Sequence, residues 1–299
     1  MATRPYYLFF VMSGCIIFLF TYCSKVTDSL EVNAGNRIID HTKASFDVLD
    51  AGEVELARQK LHIAYGHTSH GRQITNGMTG LVDFKGDLFA WNNGGVNGAL
   101  DLRDTPFSGA SDLGNPNFTA WEKATRNYLA QTSDINVVIW SWCGEVNEAT
   151  TDSIDTYLSL MTGLENDFPG VKFVYMTGHL EGTGEEGNLN QRNEQIRSYC
   201  RQNNKILYDF ADIESYDPDG HVNYMKLYGN DGCYYDTNGD KHPDINPQSN
   251  WAIVWQESHE PGVDWYNYSV PHSQPLNGNR KAYAAWYLWC QLAKIVDDK

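Results

Sequence analysis

The segment YGHTSHGRQIT, residues 65–75, places two histidines, a threonine and a serine between two glycines on one short turn. It follows directly after the apolar run LHIAYG. A serine hydroxyl becomes a nucleophile when a histidine accepts its proton, and histidines also hold substrate hydroxyls or metal ions. These proton-handling side chains therefore indicate a candidate reaction centre at residues 67–70.

Polar side chains also follow the later apolar runs of the chain. VVIW, residues 137–140, is followed by SWCGEVN, and FVYM, residues 173–176, is followed by Thr177, Gly178 and His179. The segment VPHSQPLNGN, which contains His272, comes directly before the last helical pattern. In open α/β sheets, ligands bind beyond the carboxyl ends of the strands. We therefore expect these clusters to meet at one edge of a sheet.

The elements that would position these clusters alternate between apolar strand patterns and amphipathic helix patterns. Continuous apolar strands, rather than alternating ones, are typical of a parallel sheet that is covered on both faces. The sequence predicts one α/β domain over residues 46–299, a three-layer α/β/α sandwich with a central parallel sheet. Residues 212–270 are rich in Asp, Asn, Gly and Tyr, and we interpret them as a long insertion within that domain.

Residues 1–23 have the pattern of an export signal, in which Arg4 precedes an apolar run from Tyr6 to Tyr22. This run is short for a permanent membrane span. Cys23 stands where a bacterial lipoprotein carries its lipidated cysteine, but Tyr22 replaces the small residue expected before it. We predict an exported protein, secreted, periplasmic or attached to the cell surface as a lipoprotein, with residues 24–45 as a linker. Lipidation, simple secretion and a retained signal anchor stay open.

Charge and composition limit the partners of the chain. A formal net charge of -16 and a pI near 4.8 exclude nucleic acid and anionic membrane surfaces as expected partners, because no basic stripe offsets the acidity. A lipid anchor would be the one link to a membrane. Nine Trp and 18 Tyr supply flat, amphipathic surface that suits either a core or a carbohydrate site. Beyond the export signal, four cysteines, at positions 143, 200, 233 and 290, form disulfides in one of three pairings or stay as buried thiols.

The order of these clusters resembles that of the SGNH (GDSL-like) hydrolases, which have a flavodoxin-like α/β/α sandwich and include esterases that act on acylated carbohydrates. The resemblance covers residues from about 55 to 299 and depends on a serine after the first strand and a histidine before the last helix. It implies that Ser69 is the nucleophile and His272 its base, with Asn147 and Gly95 at the oxyanion hole. The implied function is a secreted or surface-attached serine hydrolase that removes acyl groups from a carbohydrate or glycan, with no cofactor for catalysis.

Several positions depart from the family's pattern. Its Gly-Asp-Ser motif is His-Thr-Ser at residues 67–69, and its Gly-x-Asn-Asp motif is GEVN at residues 144–147. The aspartate expected three residues before the histidine is Ser269, so another carboxylate would have to orient the imidazole: Asp264, Glu260 or Glu257. The oxyanion glycine has three candidates: Gly94, Gly95 and Gly98.

The other polar residues near the turn are expected to contact substrate: His67, His70, Trp142, Glu145 and His179. Two further classes of protein stay open. The first is a zinc-dependent hydrolase, in which Glu145 activates a metal-bound water and four histidines hold the metal: His67, His70, His179 and His272. The second is a glycan-binding protein that has lost its chemistry, because the orienting aspartate is missing. Ser69 would then simply cap the helix that follows it.

The insertion contains a separate metal signal in the segment DTNGDKHPD, residues 236–244. Four oxygen-bearing side chains alternate there as in a calcium loop: Asp236, Asn238, Asp240 and Asp244. Lys241 and Pro247 stand where an EF-hand has its glycine and its bidentate glutamate, so this is not an EF-hand. The segment predicts either a structural calcium site, to which Asp231 could add a ligand, or a series of Asx-turns in a solvated loop.

Overall fold

The computed structural model describes residues 1–2 and 37–296, and residues 37–296 belong to one compact unit. The predicted export signal and most of the predicted linker lie outside the described residues. Seven parallel strands form one sheet. The strands are β1 (Ile38–Ile39), β2 (His62–Gly66), β3 (Trp91–Asn92), β4 (Leu100–Asp104), β5 (Val137–Trp140), β6 (Lys172–Met176) and β7 (Ile206–Tyr208).

The central strands lie deep in the molecule because both of their faces are covered. Every residue of β5 and β7 is buried, and β6 is buried after its first residue. Nine α-helices occur in the described part of the chain. They are α1 (Ala51–Lys60), α2 (Arg72–Lys85), α3 (Ala120–Leu129), α4 (Glu145–Glu148), α5 (Thr151–Asp167), α6 (Asn188–Gln202), α7 (Phe210–Ile213), α8 (Trp251–Glu257) and α9 (Pro275–Ala293).

The longer helices form two layers. Helices α1 and α2 both pack on α9, and α5 packs on both α3 and α6. Local sequence explains their limits, since the Thr150 side chain caps α5. Helix α3 buries one apolar face, which includes Trp121, Ala124 and Leu129. The prediction of a three-layer α/β/α sandwich with a central parallel sheet is confirmed.

The strand order places the serine turn at a special point of the sheet. The order is β1-β7-β6-β5-β2-β4-β3, so the chain moves to one side of β2 for β3 and β4 and then crosses to the other side for β5. Gly66 at the end of β2 pairs with Trp140 at the end of β5. A crevice opens at such a topological switch point. The segments that follow β2 and β5 therefore leave the sheet side by side.

The folded unit begins earlier than the predicted boundary at residue 46. Ile38 and Ile39 pair with β7, and His41 both contacts Asp212 and stacks on Tyr216. Residues 38–45 are thus part of the sheet and its surroundings rather than of a linker. A strand of two residues is too short for its pattern to be recognised in sequence.

The insertion has its own small core and returns to the carboxyl edge of the sheet. Tyr224, Cys233, Trp251 and Leu276 are among the residues of that core. Asn230 pairs with Glu181 in an isolated bridge, which brings the insertion next to the loop after β6. The four cysteines from Cys143 onward are free thiols. None of the helices formed by residues 37–296 combines the length and the apolar character needed to cross a bilayer.

Candidate active site

The turn after β2 is tight because two glycines allow close approach. A Cβ on Gly66 would lie 2.2 Å from the Trp140 ring, and a Cβ on Gly71 would lie 2.3 Å from the Ser141 hydroxyl. Any larger residue would therefore collide with the end of β5 at Gly66 or with the segment after β5 at Gly71. The two glycines allow the 67–70 turn to pack closely against the segment after β5, which contains Cys143.

His70 is the residue that connects the site. Its Nδ1 lies 3.2 Å from the Cys143 Sγ, and its Nε2 lies 3.1 Å from the Asp231 carboxylate. A thiol, an imidazole and a carboxylate are thus joined through the two nitrogens of one ring. This is the relation of nucleophile, base and orienting acid in cysteine acyl-transfer enzymes.

Electrostatics favour charge separation between the two reacting groups. Burial alone would lower the pKa of His70, but its hydrogen bonds with Asp231 and Cys143 outweigh burial and raise that pKa to about 9. The hydrogen bond with His70 lowers the pKa of the Cys143 thiol, against burial and with help from the Thr68 hydroxyl. A lowered thiol pKa beside a raised imidazole pKa favours a thiolate–imidazolium pair.

Two further histidines hold the His70 ring. The His179 ring stacks on it at 3.6 Å between centroids and 5° between planes, and the His272 ring at 4.6 Å and 17°. Burial, together with the charge of His70, lowers the pKa of His179 to about 4. His179 is therefore neutral at pH 7 and adds no second positive charge, although its Nε2 lies 3.4 Å from Glu181.

Ser69 reaches the same place without capping the helix. Its Oγ lies 4.0 Å from the Cys143 Sγ, and the residue that caps α2 is Gly71, with no side-chain hydrogen bond. His272 lies against His70, and its backbone is in the left-handed region at φ 61°, an uncommon conformation that clusters at functional sites. No hydrogen bond joins Ser69 and His272 in the described part of the chain.

The acidic side of the site is formed by Glu145 and Asp112. The Glu145 carboxylate accepts the backbone N–H of Cys143 at 2.9 Å, and burial, followed by the nearby Asp112, raises its pKa. Asp112 in turn accepts the Thr68 hydroxyl at 3.0 Å. Glu145 thus fixes the nucleophile segment. Asn147, predicted at the oxyanion hole, faces Glu181 at the margin of the site.

Trp142 was predicted to bind substrate, and this prediction is wrong. Its side chain is 2% exposed and its indole N–H donates to the Met176 carbonyl at 2.9 Å. It packs edge-on against Tyr157 of α5. Trp142 thus belongs to the core beneath the site. His67 also turns away from the other histidines, since its Nε2 contacts Asp104 at 2.5 Å.

Gly95 lies at the opposite end of the sheet from the site, so the expected oxyanion role is wrong. It neighbours Gly94, whose N–H donates to Asp101 at 2.8 Å, and Asp101 pairs with His62 at the start of β2. The reaction centre follows the end of β2, about 13 Å along a strand of this length. A glycine pattern alone carries no information about which end of the sheet its loop occupies.

A buried polar network supports the three stacked histidines from below. Lys281 on α9 donates to Glu214 at 2.5 Å and also to Gln73 of α2. Gln73 donates to the Pro271 carbonyl, next to His272, at 2.8 Å, and Glu214 accepts the N–H of Leu180, next to His179. One ion pair with fully buried side chains thus connects the segments that carry His70, His179 and His272.

Among the described residues, three groups of His, Cys, Asp or Glu bring their ligand atoms within 4.8 Å of one another, and one of them is His70, Asp231 and His272. The aspartates of the segment 236–244 are not among these groups. There, Asp236 accepts the N–H groups of Asn238 and Gly239 at 3.0 and 2.7 Å. These are Asx-turn contacts, and calcium binding stays a prediction.

Sequence reasoning assigned no catalytic role to Cys143 or Asp231. Cys143 has a signal that could have identified it, because it lies three residues after β5 within a polar cluster and is followed by glycine. Asp231 has no such signal, since it lies 161 residues from His70 inside the insertion. Contacts between the insertion and the loop after β6, among them the hydrogen bond from the N–H of Asp231 to the Leu180 carbonyl, bring it to the site.

Comparisons with known proteins identify no relative of this chain. No protein-family model matches the chain, and neither the curated proteins nor the solved structures contain a significant match.

Proposed function

We propose that this protein is an acyl hydrolase in which Cys143 is the nucleophile, His70 the general acid and base, and Asp231 the group that orients His70. The observation that carries the proposal is the continuous contact from Sγ to Nδ1 at 3.2 Å and from Nε2 to the carboxylate at 3.1 Å. The directions of the pKa shifts of Cys143 and His70 support it.

The reaction follows from the positions of these atoms. The Cys143 thiolate attacks the carbonyl carbon of an ester and forms a tetrahedral intermediate. His70 donates its Nδ1 proton to the leaving alcohol, which leaves an acyl thioester on Cys143 and a neutral imidazole. Water then attacks the thioester while His70 accepts its proton, and the carboxylic acid leaves as the thiolate and imidazolium re-form.

The developing oxyanion needs donors other than the N–H of Cys143, because that group is bonded to Glu145. The Ser69 hydroxyl is a side-chain donor beside the nucleophile, at 4.0 Å from the sulfur. We assign it this role, which accounts for a serine on the turn without making it the nucleophile. A preorganised hydroxyl donor of this kind is worth about 3 kcal/mol in the transition state.

The resemblance to SGNH hydrolases supports the same reaction class with Ser69 as nucleophile. In that version His70, rather than His272, is the imidazole that contacts the nucleophile cluster, and His272 packs against it. The expected substrate, an acylated carbohydrate outside the cell, is part of the proposal. The export signal at residues 1–23 supports that location.

A zinc-dependent hydrolase is the second candidate, and one observation favours it. His70, Asp231 and His272 could offer three ligand atoms within 4.8 Å of one another, the number that a catalytic zinc site takes from its protein. Zinc there would supply a bound hydroxide as the nucleophile. The ligand set differs from the predicted one, because His67 contacts Asp104 and Asp231 joins instead.

The test compares the two nucleophiles in protein dialysed against EDTA. We expect Cys143→Ala to lower kcat/KM on p-nitrophenyl acetate by about 10³-fold or more, because it removes the attacking atom. Ser69→Ala should lower it by about 10²-fold, the usual cost of one oxyanion donor. Cys200→Ala, at a buried thiol, is the matched control and should leave the rate unchanged.

Mass spectrometry of the enzyme quenched during turnover locates the acyl group independently. An acyl adduct on the peptide containing Cys143 supports the proposal, whereas an adduct on Ser69 with full activity of Cys143→Ala contradicts it. Activity that disappears with EDTA and returns with zinc identifies the metal mechanism. If wild-type protein hydrolyses no ester with or without zinc but binds glycans, the acyl hydrolase assignment is wrong.

A further inference from the structure

A cavity of about 440 Å³ lies away from the cysteine site, between residues 44–47, the end of α2, α8 and the first turns of α9. Its lining includes Arg280, Trp255, Lys85 and Tyr283. The volume lies within the range of small-molecule sites. None of the residues of the proposed reaction centre contributes to this lining.

Arg280 is the unusual member of the lining. Its side chain is buried, at 3% exposure, and its Nε has no hydrogen-bond partner. Within the described residues its guanidinium forms no hydrogen bond or ion pair. The carboxylates whose charges act on it are Asp217 and Asp212. Each is already engaged, Asp217 with the Tyr224 hydroxyl at 2.8 Å and Asp212 with His41 at 2.6 Å.

An unpaired guanidinium in such a position is costly, because burial removes its hydration without replacing it. Burial lowers its pKa to about 10, so Arg280 is still charged at pH 7. A second donor in the same cavity is also unused, since the buried Trp255 indole N–H has no acceptor among the described residues. Arg280 and Trp255 thus both line the cavity, and each has a buried N–H donor without an acceptor, which favours an oxygen-bearing ligand beside them.

We propose that this cavity binds a small monocarboxylate that carries a ring, with the carboxylate paired to Arg280. A planar guanidinium matches a carboxylate with two parallel hydrogen bonds. The ring would lie among the aromatic side chains of the lining, which include Phe46, Trp255 and Tyr283. The ligand thus supplies the partner that the chain itself does not give to Arg280.

The charges of the lining decide between a carboxylate and a dianion such as phosphate. Lys85 adds a positive charge to that of Arg280, but Asp47 and Asp264 also line the cavity. A single negative charge replaces the missing partner of Arg280, whereas a second one would be repelled by the two aspartates. The carboxylate oxygens of these aspartates would accept hydrogen bonds from ligand hydroxyl groups. The lining therefore suits a sugar acid more than an unsubstituted aromatic acid.

The test is calorimetric titration of the full chain at pH 7 with four probes: D-glucuronate, benzoate, D-glucose and inorganic phosphate. We expect saturable binding of at least one carboxylate, with glucose and phosphate at least about tenfold weaker. Arg280→Met should weaken carboxylate binding at least about tenfold. Arg201→Met, at an exposed arginine paired with Glu194, is the matched control and should bind like wild type.

Thermal unfolding separates loss of the ligand contact from loss of the fold. Without ligand, Arg280→Met should melt at or above the wild-type temperature, because it removes an unpaired buried charge. If this variant does not fold, Arg280→Lys keeps the charge without the planar fork and should still bind the carboxylate more weakly. Equal carboxylate binding by wild type and either variant, or no binding by wild type at about 10 mM, overturns the proposal. The outcome is independent of the cysteine mechanism, since no ester is turned over.

Discussion

The two ends of strand β2 each carry a histidine beside an aspartate, and only one of these pairs belongs to the proposed reaction centre. At the amino end, His62 Nδ1 contacts Asp101 at 2.8 Å. Just beyond the carboxyl end, His70 Nε2 contacts Asp231 at 3.1 Å. Two similar histidine–aspartate contacts thus occur a few residues apart in sequence, but at opposite ends of the strands of one sheet.

The pairs differ in what else their members contact. Asp101 also accepts from Arg103 at 2.9 Å, and Arg103 pairs with Asp134. The carboxylate at the amino end is therefore neutralised by a guanidinium, and that end is an ion-pair network. At the carboxyl end the second nitrogen of His70 contacts the Cys143 thiol. A histidine–aspartate pair becomes chemically useful when the free nitrogen of the ring faces a nucleophile.

The largest expected effect comes from removing each histidine in turn. His70→Ala should lower ester turnover by about 10³-fold or more, since the base and the stabilising charge for the thiolate are both lost. His62→Ala is the matched control and should stay within about twofold of wild type. The measurement is kcat/KM in EDTA-treated protein. Comparable losses in the two variants would remove the distinction between the two ends.

A smaller effect is expected from changing the carboxylate beside His70. Asp231→Asn removes a charge that helps raise the pKa of His70 to about 9, so that pKa should fall and the pKa of Cys143 should rise. Alkylation of Cys143 by iodoacetamide at pH 6 should then be slower than in wild type, because a smaller fraction of the thiol is ionised. Peptide mapping follows this thiol separately from the others, whose pKa values burial raises.

The rate of Cys143 alkylation is also followed as a function of pH, with Asp104→Asn as the control. Asp104 lies at the same end of the sheet but pairs with His67 and not with His70. Its alkylation profile should match that of wild type from pH 5 to 9. An unchanged profile for Asp231→Asn would mean that Asp231 does not set the charge of His70.

The smallest effect on turnover is expected from a substitution at the amino end of β2. That substitution should lower the stability of the protein instead. Asp101→Asn removes a carboxylate that is 4% exposed and bonded to His62 and Arg103. It should lower the free energy of unfolding at pH 7 by about 3 kcal/mol, with turnover within about twofold of wild type. Urea unfolding measures the first quantity and the ester assay the second.

The pH dependence of that stability loss has a definite sign. Burial would raise the pKa of Asp101, but hydrogen bonds from Arg103 and His62 outweigh it and lower that pKa. Its contribution is present above its unfolded pKa, about 3.9, and is lost as pH falls through the lower folded pKa. The difference between wild type and Asp101→Asn should therefore narrow below about pH 4. A constant difference would exclude ionisation of Asp101 as its source.

The sequence by itself determined the layered fold and the end of the sheet at which the polar clusters meet. Apolar runs such as VVIW are typical of strands in a parallel sheet that is covered on both faces, and the carboxyl ends of parallel strands lie together at one end of the sheet. This is why the clusters that contain His70, His179 and His272 were correctly expected to meet. Both the fold and the position of these clusters depend on local sequence pattern and on chain direction, which the sequence alone provides.

Only the tertiary structure decided which of the clustered groups contact one another. The Ser69 Oγ and the Cys143 Sγ lie only 4.0 Å apart. Nevertheless, the His70 imidazole contacts the thiol of Cys143. Asp231 reaches His70 from 161 residues away through an insertion without strand or helix at that point. Trp142 and Gly95 were misplaced for the same reason, since residue type does not specify whether a side chain enters the core or which end of the sheet a loop occupies. Such choices depend on long-range packing, which a local pattern does not encode.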